Sequence, residues 1–147
     1  MLKPGGLLVF TFRHSTGEGW LAMAKALARS GLKPVQVLPI PGEAGTGLHT
    51  HAGTSTWDAV LVFRKLPALP PSERLSNQQV NAARANSRAW RERVWRQDQL
   101  PFNDADWVNL VRASLVGASL GLYGQPTDEC GVDVGTALNN ILLRDGD

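Results

Sequence analysis

The chain has 147 residues, 43% hydrophobic and 19% charged, with a net charge of +2, a single cysteine and no apolar run approaching the length of a membrane span. That composition describes an ordinary globular unit long enough to bury a core unaided, and Cys130 alone excludes an internal disulfide or a four-cysteine zinc site. Residues 1–65 carry +4 and residues 66–147 carry −2. All basic residues after Lys65 are arginines, six of them between Arg74 and Arg96. With no secretion-type leader or membrane anchor in the pattern, a cytoplasmic location is expected.

The opening segment Gly6–Phe12, Gly-Leu-Leu-Val-Phe-Thr-Phe, follows Pro4-Gly5 and suits a strand buried on both faces. Ser15-Thr16-Gly17-Glu18 has capping-box spacing with Ser15 as the cap. Trp20, Met23 and Leu27 then recur at helical intervals up to Gly31, a residue able to close a helix in the left-handed region. Val35–Ile40 forms a second strand, with Pro39 near its end. Residues 41–56, rich in glycine and threonine and without periodicity, make a long loop before a third strand, Trp57–Arg64. The proline-rich stretch 67–71 marks a boundary between residues 1–66 and a helical extension over 72–147.

In that extension Ser72–Gln97 lacks glycine and proline and predicts a long polar helix, with Trp90 and Val94 as a buried pair. Asn103-Asp104-Ala105-Asp106 supplies caps for a helix through Trp107, Leu110, Val111 and Leu115. A short helix over Thr136–Leu143 follows. Arg84, Arg88 and Arg91 share one helical face and are candidates for contacting a nucleic-acid backbone, with Trp90 and Trp95 as stacking surfaces. The same helix also fits a solvated face packed by its tryptophans. His49, His51 and Glu43 are too few for a convincing metal site, so no metal is expected. Gly42–Gly47 imitates a cofactor turn but has no helix after it.

Leu2-Lys3-Pro4-Gly5-Gly6-Leu7-Leu8-Val9 resembles the turn into the fifth strand of class I S-adenosylmethionine-dependent methyltransferases. Phe12-Arg13-His14-Ser15-Thr16-Gly17-Glu18-Gly19-Trp20, Leu27–Leu32 and Trp57–Lys65 are similar to segments of the putative adenine-specific DNA methylases. Leu120–Gly124 and Val132–Leu138 resemble part of that group's helical C-terminal extension. The resemblance implies an α/β fold: a C-terminal fragment of a Rossmann-like methyltransferase sheet. It would comprise strands five, six and seven with one helix, the seventh strand inserted antiparallel between the other two.

The implied parent activity is methyl transfer from S-adenosylmethionine to an exocyclic base nitrogen, that of adenine, in DNA. The resemblance places His14, Ser15 and Thr16 at a ligand-binding strand end, where they can contact a base, a phosphate or the cofactor. Capping explains the two hydroxyls equally well, leaving His14 as a solvated loop residue. No Asp/Asn-Pro-Pro-aromatic tetrapeptide occurs; Leu69-Pro70-Pro71-Ser72 lacks both the acceptor and the aromatic. The chain alone is therefore expected to hold no cofactor and to be inactive, with DNA and an N-terminal methyltransferase subunit as its partners, or to self-associate through an open strand edge. The alternative is a non-catalytic nucleic-acid-binding or subunit-interaction module.

Overall fold

The structure, a computed structural model, describes residues 2–42, 56–67, 73–98, 102–124 and 131–141. It is a mixed α/β arrangement. A three-stranded sheet, a two-stranded ladder and four helices follow the order β1 (Leu7–Phe12), α1 (Gly17–Ser30), β2 (Lys33–Pro41), β3 (Trp57–Arg64), β4 (Arg74–Leu75), α2 (Asn77–Asp98), α3 (Asp104–Ser119), β5 (Val132–Asp133), α4 (Val134–Asn139). The main sheet has the order β1-β3-β2. Because β3 is antiparallel to both neighbours, β1 and β2 run in the same direction with β3 reversed between them.

The start of the sheet follows from turn chemistry. Lys3-Pro4-Gly5-Gly6 closes with the Gly6 N–H donating to the Lys3 carbonyl at 2.8 Å, and Gly5 has φ of 76°. Proline at the second position and a positive-φ glycine at the third are what a type II turn requires. Gly5 N–H then donates to Lys65 O, which extends the β1–β3 ladder by one rung.

β1 is an edge strand, not the doubly covered one its composition suggests. Leu7 is 49% and Val9 57% exposed. Register explains the difference: Phe10 and Phe12 lie opposite Leu61 and Ala59 on the face that meets the helices, whereas Leu7 and Val9 lie opposite Arg64 and Val62 on the other. That second face continues through Val60 and Leu38 to Ile40, which is 41% exposed. Among the described residues no strand pairs with the outer edge of β1. The two edges differ in chemistry. β2 carries Pro34, Pro39 and Pro41 and a bulge between Pro34 and Gln36, devices that discourage further pairing. Leu-Leu-Val-Phe-Thr-Phe on β1 has none of them.

The N-cap of α1 is Thr16, one residue beyond the expected Ser15. Thr16 has extended backbone angles, and its hydroxyl accepts from the Gly19 N–H at 3.3 Å. Gly31, at φ 70°, ends the helix as expected. The long polar helix begins at Asn77 rather than at 72, because Arg74-Leu75 is drawn into a ladder with Val132-Asp133. Ser76 and Gln79 then form the capping box: the Ser76 N–H donates to Gln79 Oε1 and the Gln79 N–H donates to Ser76 Oγ. The last helix likewise starts at Val134, capped by Asp133, not at Thr136.

α3 is the hub of the helical layer. Twelve of its sixteen residues are buried, and it packs against α1, α2, α4, β2 and β3. A helix apolar on nearly every side has to lie inside a layer of others. Gly117 sets its distance from the sheet, since a Cβ there would stand 3.3 Å from the Val37 side chain and 2.8 Å from that of Leu122. Against α2, its most extensive helix partner, the contacting side chains are mostly short or polar. The buried line is Gln79, Ala83, Ser87 and Val94, with Trp90 only half-buried, and the Ser87 and Ser114 hydroxyls bond at 3.2 Å. A single core runs from Leu61 and Phe63 through Trp107 and Leu115 to Leu75 and Leu138. No described helix is long and apolar enough to cross a membrane.

Tyr123 lies against this core with its hydroxyl buried beside Ser114 and without a hydrogen bond of good geometry among the described residues. Burial raises the phenol above its ordinary value of 10.0, outweighing the opposing influence of the neighbouring Ser114 hydroxyl. A raised value means that the un-ionised ring stabilises the fold fully below about pH 10 and that this contribution disappears as pH rises through the folded-state value. Tyr123→Phe is expected to flatten the alkaline decline in a series of urea midpoints and to leave stability at pH 7 equal or slightly higher. An unchanged alkaline limb would contradict the assignment.

Candidate functional site

The ends of β1 and β2 and the start of β3 meet at one edge of the sheet, where the chain leaves β1 through Arg13, His14, Ser15 and Thr16. Arg13 pairs with Asp58 of β3 at 3.5 Å, with both side chains partly exposed. The His14 N–H donates to Oδ1 of the buried Asn109 on α3 at 3.3 Å, and its carbonyl accepts from Trp20 Nε1 at 3.3 Å. The His14 ring is held as firmly as its backbone. Nδ1 accepts from the Thr16 N–H at 3.1 Å and stands 3.1 Å from the Thr16 hydroxyl. The ring stacks beyond Phe12 with centroids 6.2 Å apart and planes 13° apart, and it also rests on Gly19, where any Cβ would collide with it.

Two anchors on α3 hold this edge. Asp106, 1% exposed, accepts from the Thr56 N–H at 2.6 Å, the Thr56 hydroxyl at 3.0 Å, the Trp57 N–H at 2.9 Å and the Asn103 N–H at 2.9 Å. It thus caps its own helix and fixes the first residue of β3 in one set of bonds. Arg112 donates from Nε to the Leu138 carbonyl and from Nη1 to the Ser15 carbonyl, each at 3.0 Å. Burial lowers its guanidinium from the ordinary value, yet such a group stays charged at neutral pH.

The structure therefore brings His14, Ser15 and Thr16 together on an exposed segment. Thr16 is committed to the cap and to His14, and Ser15 contributes its carbonyl to Arg112. Arg84, Arg88 and Arg91 are half-buried and make interactions within the chain. Arg91 lies over the Trp107 ring, 4.6 Å from its centroid, and Arg84 lines a small cleft with Val111 and Leu115. The exposed charged and aromatic side chains of α2 are instead Glu92, Arg93, Trp95 and Arg96; Trp95 is 64% exposed, and Arg93 lies 5.0 Å from the Trp90 ring centroid.

Asn109, Asp106 and Asp58 were not legible as edge residues in the sequence, because each reaches the edge through tertiary packing across about fifty residues or more. The capping-box spacing of Asn103 and Asp106 was the one available signal. His49, His51, Glu43, Cys130 and Pro70-Pro71 lie outside the described residues, among which no group of three or more His, Cys, Asp or Glu could hold a metal ion.

A concavity of about 600 Å³ lies beneath α1, with Lys25 and Arg29 on one wall and Glu73 and Asp133 on the other. Its charges are balanced, and nothing in it converges on a point. Compared with family models, with curated proteins and with solved structures, the chain matches none.

Proposed function

We propose that this chain supplies the C-terminal part of a class I S-adenosylmethionine-dependent methyltransferase domain that methylates an exocyclic base nitrogen in DNA, that of adenine. The observation that carries the reading is the sheet: a reversed β3 between co-directional β1 and β2, with the outer edge of β1 left open among the described residues. This is the arrangement expected of strands five, seven and six, and the open edge is where a fourth strand would pair. In such a domain the methyl donor and the amine are held by a glycine-rich turn and an Asp/Asn-Pro-Pro-aromatic motif, and the amine nitrogen attacks the methyl group in line. The base is first turned out of the duplex. Those elements come from residues outside this chain, which contributes the far side of the sheet and the edge bearing His14. By itself it is not catalytic.

The test is equilibrium dialysis with labelled S-adenosylmethionine, using the chain alone and co-expressed with a polypeptide carrying the glycine-rich turn and the Asp/Asn-Pro-Pro-aromatic motif. No binding to the chain alone and near-stoichiometric binding to a co-purifying pair are expected. Failure of the two polypeptides to associate would remove the reading.

A second reading, a nucleic-acid-binding module without catalysis, draws on Trp95, which is exposed between Arg93 and Arg96 on α2. It requires that Trp95→Ala abolish salt-sensitive oligonucleotide binding by the chain alone.

A further inference from the structure

Every polar atom of His14 except one has an assigned partner: its N–H binds Asn109, its carbonyl Trp20 and its Nδ1 the Thr16 N–H. A backbone N–H can only donate, so Nδ1 is the acceptor and the ring proton resides on Nε2. The ring plane is set by Phe12 and by the absence of a side chain at Gly19. Nε2 has no partner among the described residues, and the residue is exposed. An imidazole clamped at one nitrogen, with its other nitrogen unpartnered among the described residues on an exposed residue at the end of a strand, is more than a helix cap requires. The Thr16 hydroxyl already satisfies the Gly19 N–H without it.

We propose that His14 positions substrate by donating from Nε2 to a hydrogen-bond acceptor on a nucleobase, a ring nitrogen or carbonyl oxygen of an unstacked base brought to this edge. The assignment rests on the nucleic-acid substrate proposed above and extends it to one atom. A base acceptor is favoured over a phosphate because this edge offers direction rather than charge: Arg13, the adjacent cation, is paired with Asp58. Phosphate contacts draw mainly on charge, whereas base edges are read by oriented single donors and acceptors.

The test uses two variants and two probes. His14→Asn keeps an acceptor where Nδ1 stood, and so keeps the bond from Thr16, but it has no outward donor. His14→Gln places an amide N–H near the position of Nε2. Binding is measured by fluorescence anisotropy with an adenine-containing single-stranded oligonucleotide and with an abasic oligonucleotide of the same length and phosphate count. Both probes are offered to the chain co-purified with the polypeptide that carries the glycine-rich turn and the Asp/Asn-Pro-Pro-aromatic motif. The expected result is a loss of roughly five- to tenfold for H14N on the base-bearing probe, the size of one net hydrogen bond. No change on the abasic probe, an unaltered salt slope and partial recovery in H14Q should accompany it.

Equal losses on both probes would reassign the contact to phosphate and overturn the proposal. So would indifference of the base-bearing probe to H14N. Binding of neither probe by the co-purified pair would overturn it as well, while association of the pair and its S-adenosylmethionine binding judge the methyltransferase reading separately. Imidazole nitrogen-15 spectra of the free protein check the clamp separately: a His14 ring protonated on Nδ1 rather than Nε2 would overturn the proposal whatever the binding data.

Discussion

Asp106→Ala is expected to lower stability by about 3–5 kcal/mol, a large part of the total for a domain of this size. The carboxylate receives four hydrogen bonds, two of them from the backbone N–H groups of Thr56 and Trp57, where β3 begins. Alanine leaves the buried Trp57 N–H and the partly buried Thr56 N–H without their partner, and a buried orphan donor costs about 1–3 kcal/mol. It also removes half of the α3 capping box. Asp106→Asn keeps one acceptor oxygen and should cost about half as much. Urea denaturation of the three proteins, followed by tryptophan fluorescence, measures the series. A loss under 1 kcal/mol for D106A would mean that the start of β3 is held by something else.

Val9→Lys should change association rather than stability. Val9 is 57% exposed on the face of β1 away from the helices, so a lysine there buries no charge and should alter the folding free energy by less than about 0.5 kcal/mol. The unaltered chain, with an apolar strand edge that lacks proline, charge or bulge, is expected to associate in a concentration-dependent manner. Introducing a lysine is one of the devices by which natural edge strands resist such pairing, and V9K should weaken association at least tenfold. Sedimentation velocity over a hundredfold concentration range distinguishes the two. A strictly monomeric unaltered chain would show that the edge is guarded in some other way.

Much of the main sheet could be read from residue patterns. Trp57–Arg64 is a strand over the expected residues, and the Gly31 and Asn103 termini stand where glycine and cap chemistry put them. The misplacements share a cause. Gly6–Phe12 has the composition of a central strand, and composition does not reveal whether a neighbour is present to cover it. Arg74-Leu75 has nothing to mark it as a strand until Val132-Asp133, far along the chain, comes to lie beside it.

Tryptophan is large and apolar, so the pattern of α2 fits packing through Trp90 and Val94, and Val94 is indeed buried with Trp90 half-buried against the core. Spacing does not show that Ala83 and Ser87 share that line, where their small size lets α3 approach, or that Trp95 is left in solvent. At the candidate site, His14, Ser15 and Thr16 are contiguous and could be singled out directly. Their supports, Asn109 and Arg112, lie about a hundred residues away, and no spacing rule connects them.

The Arg112 guanidinium joins the carbonyl of Ser15 to that of Leu138, and Gly17 is bare enough for Asn139 to lie directly against it. The loop after the first strand is therefore braced by the chain's last described helix. A polypeptide cut at residue 66, where the prolines invite dissection, would forfeit Asn109, Arg112 and Asp106 together, and with them the scaffolding of the edge it was meant to isolate. The two halves that composition separates are, mechanically, one arch with a shared keystone.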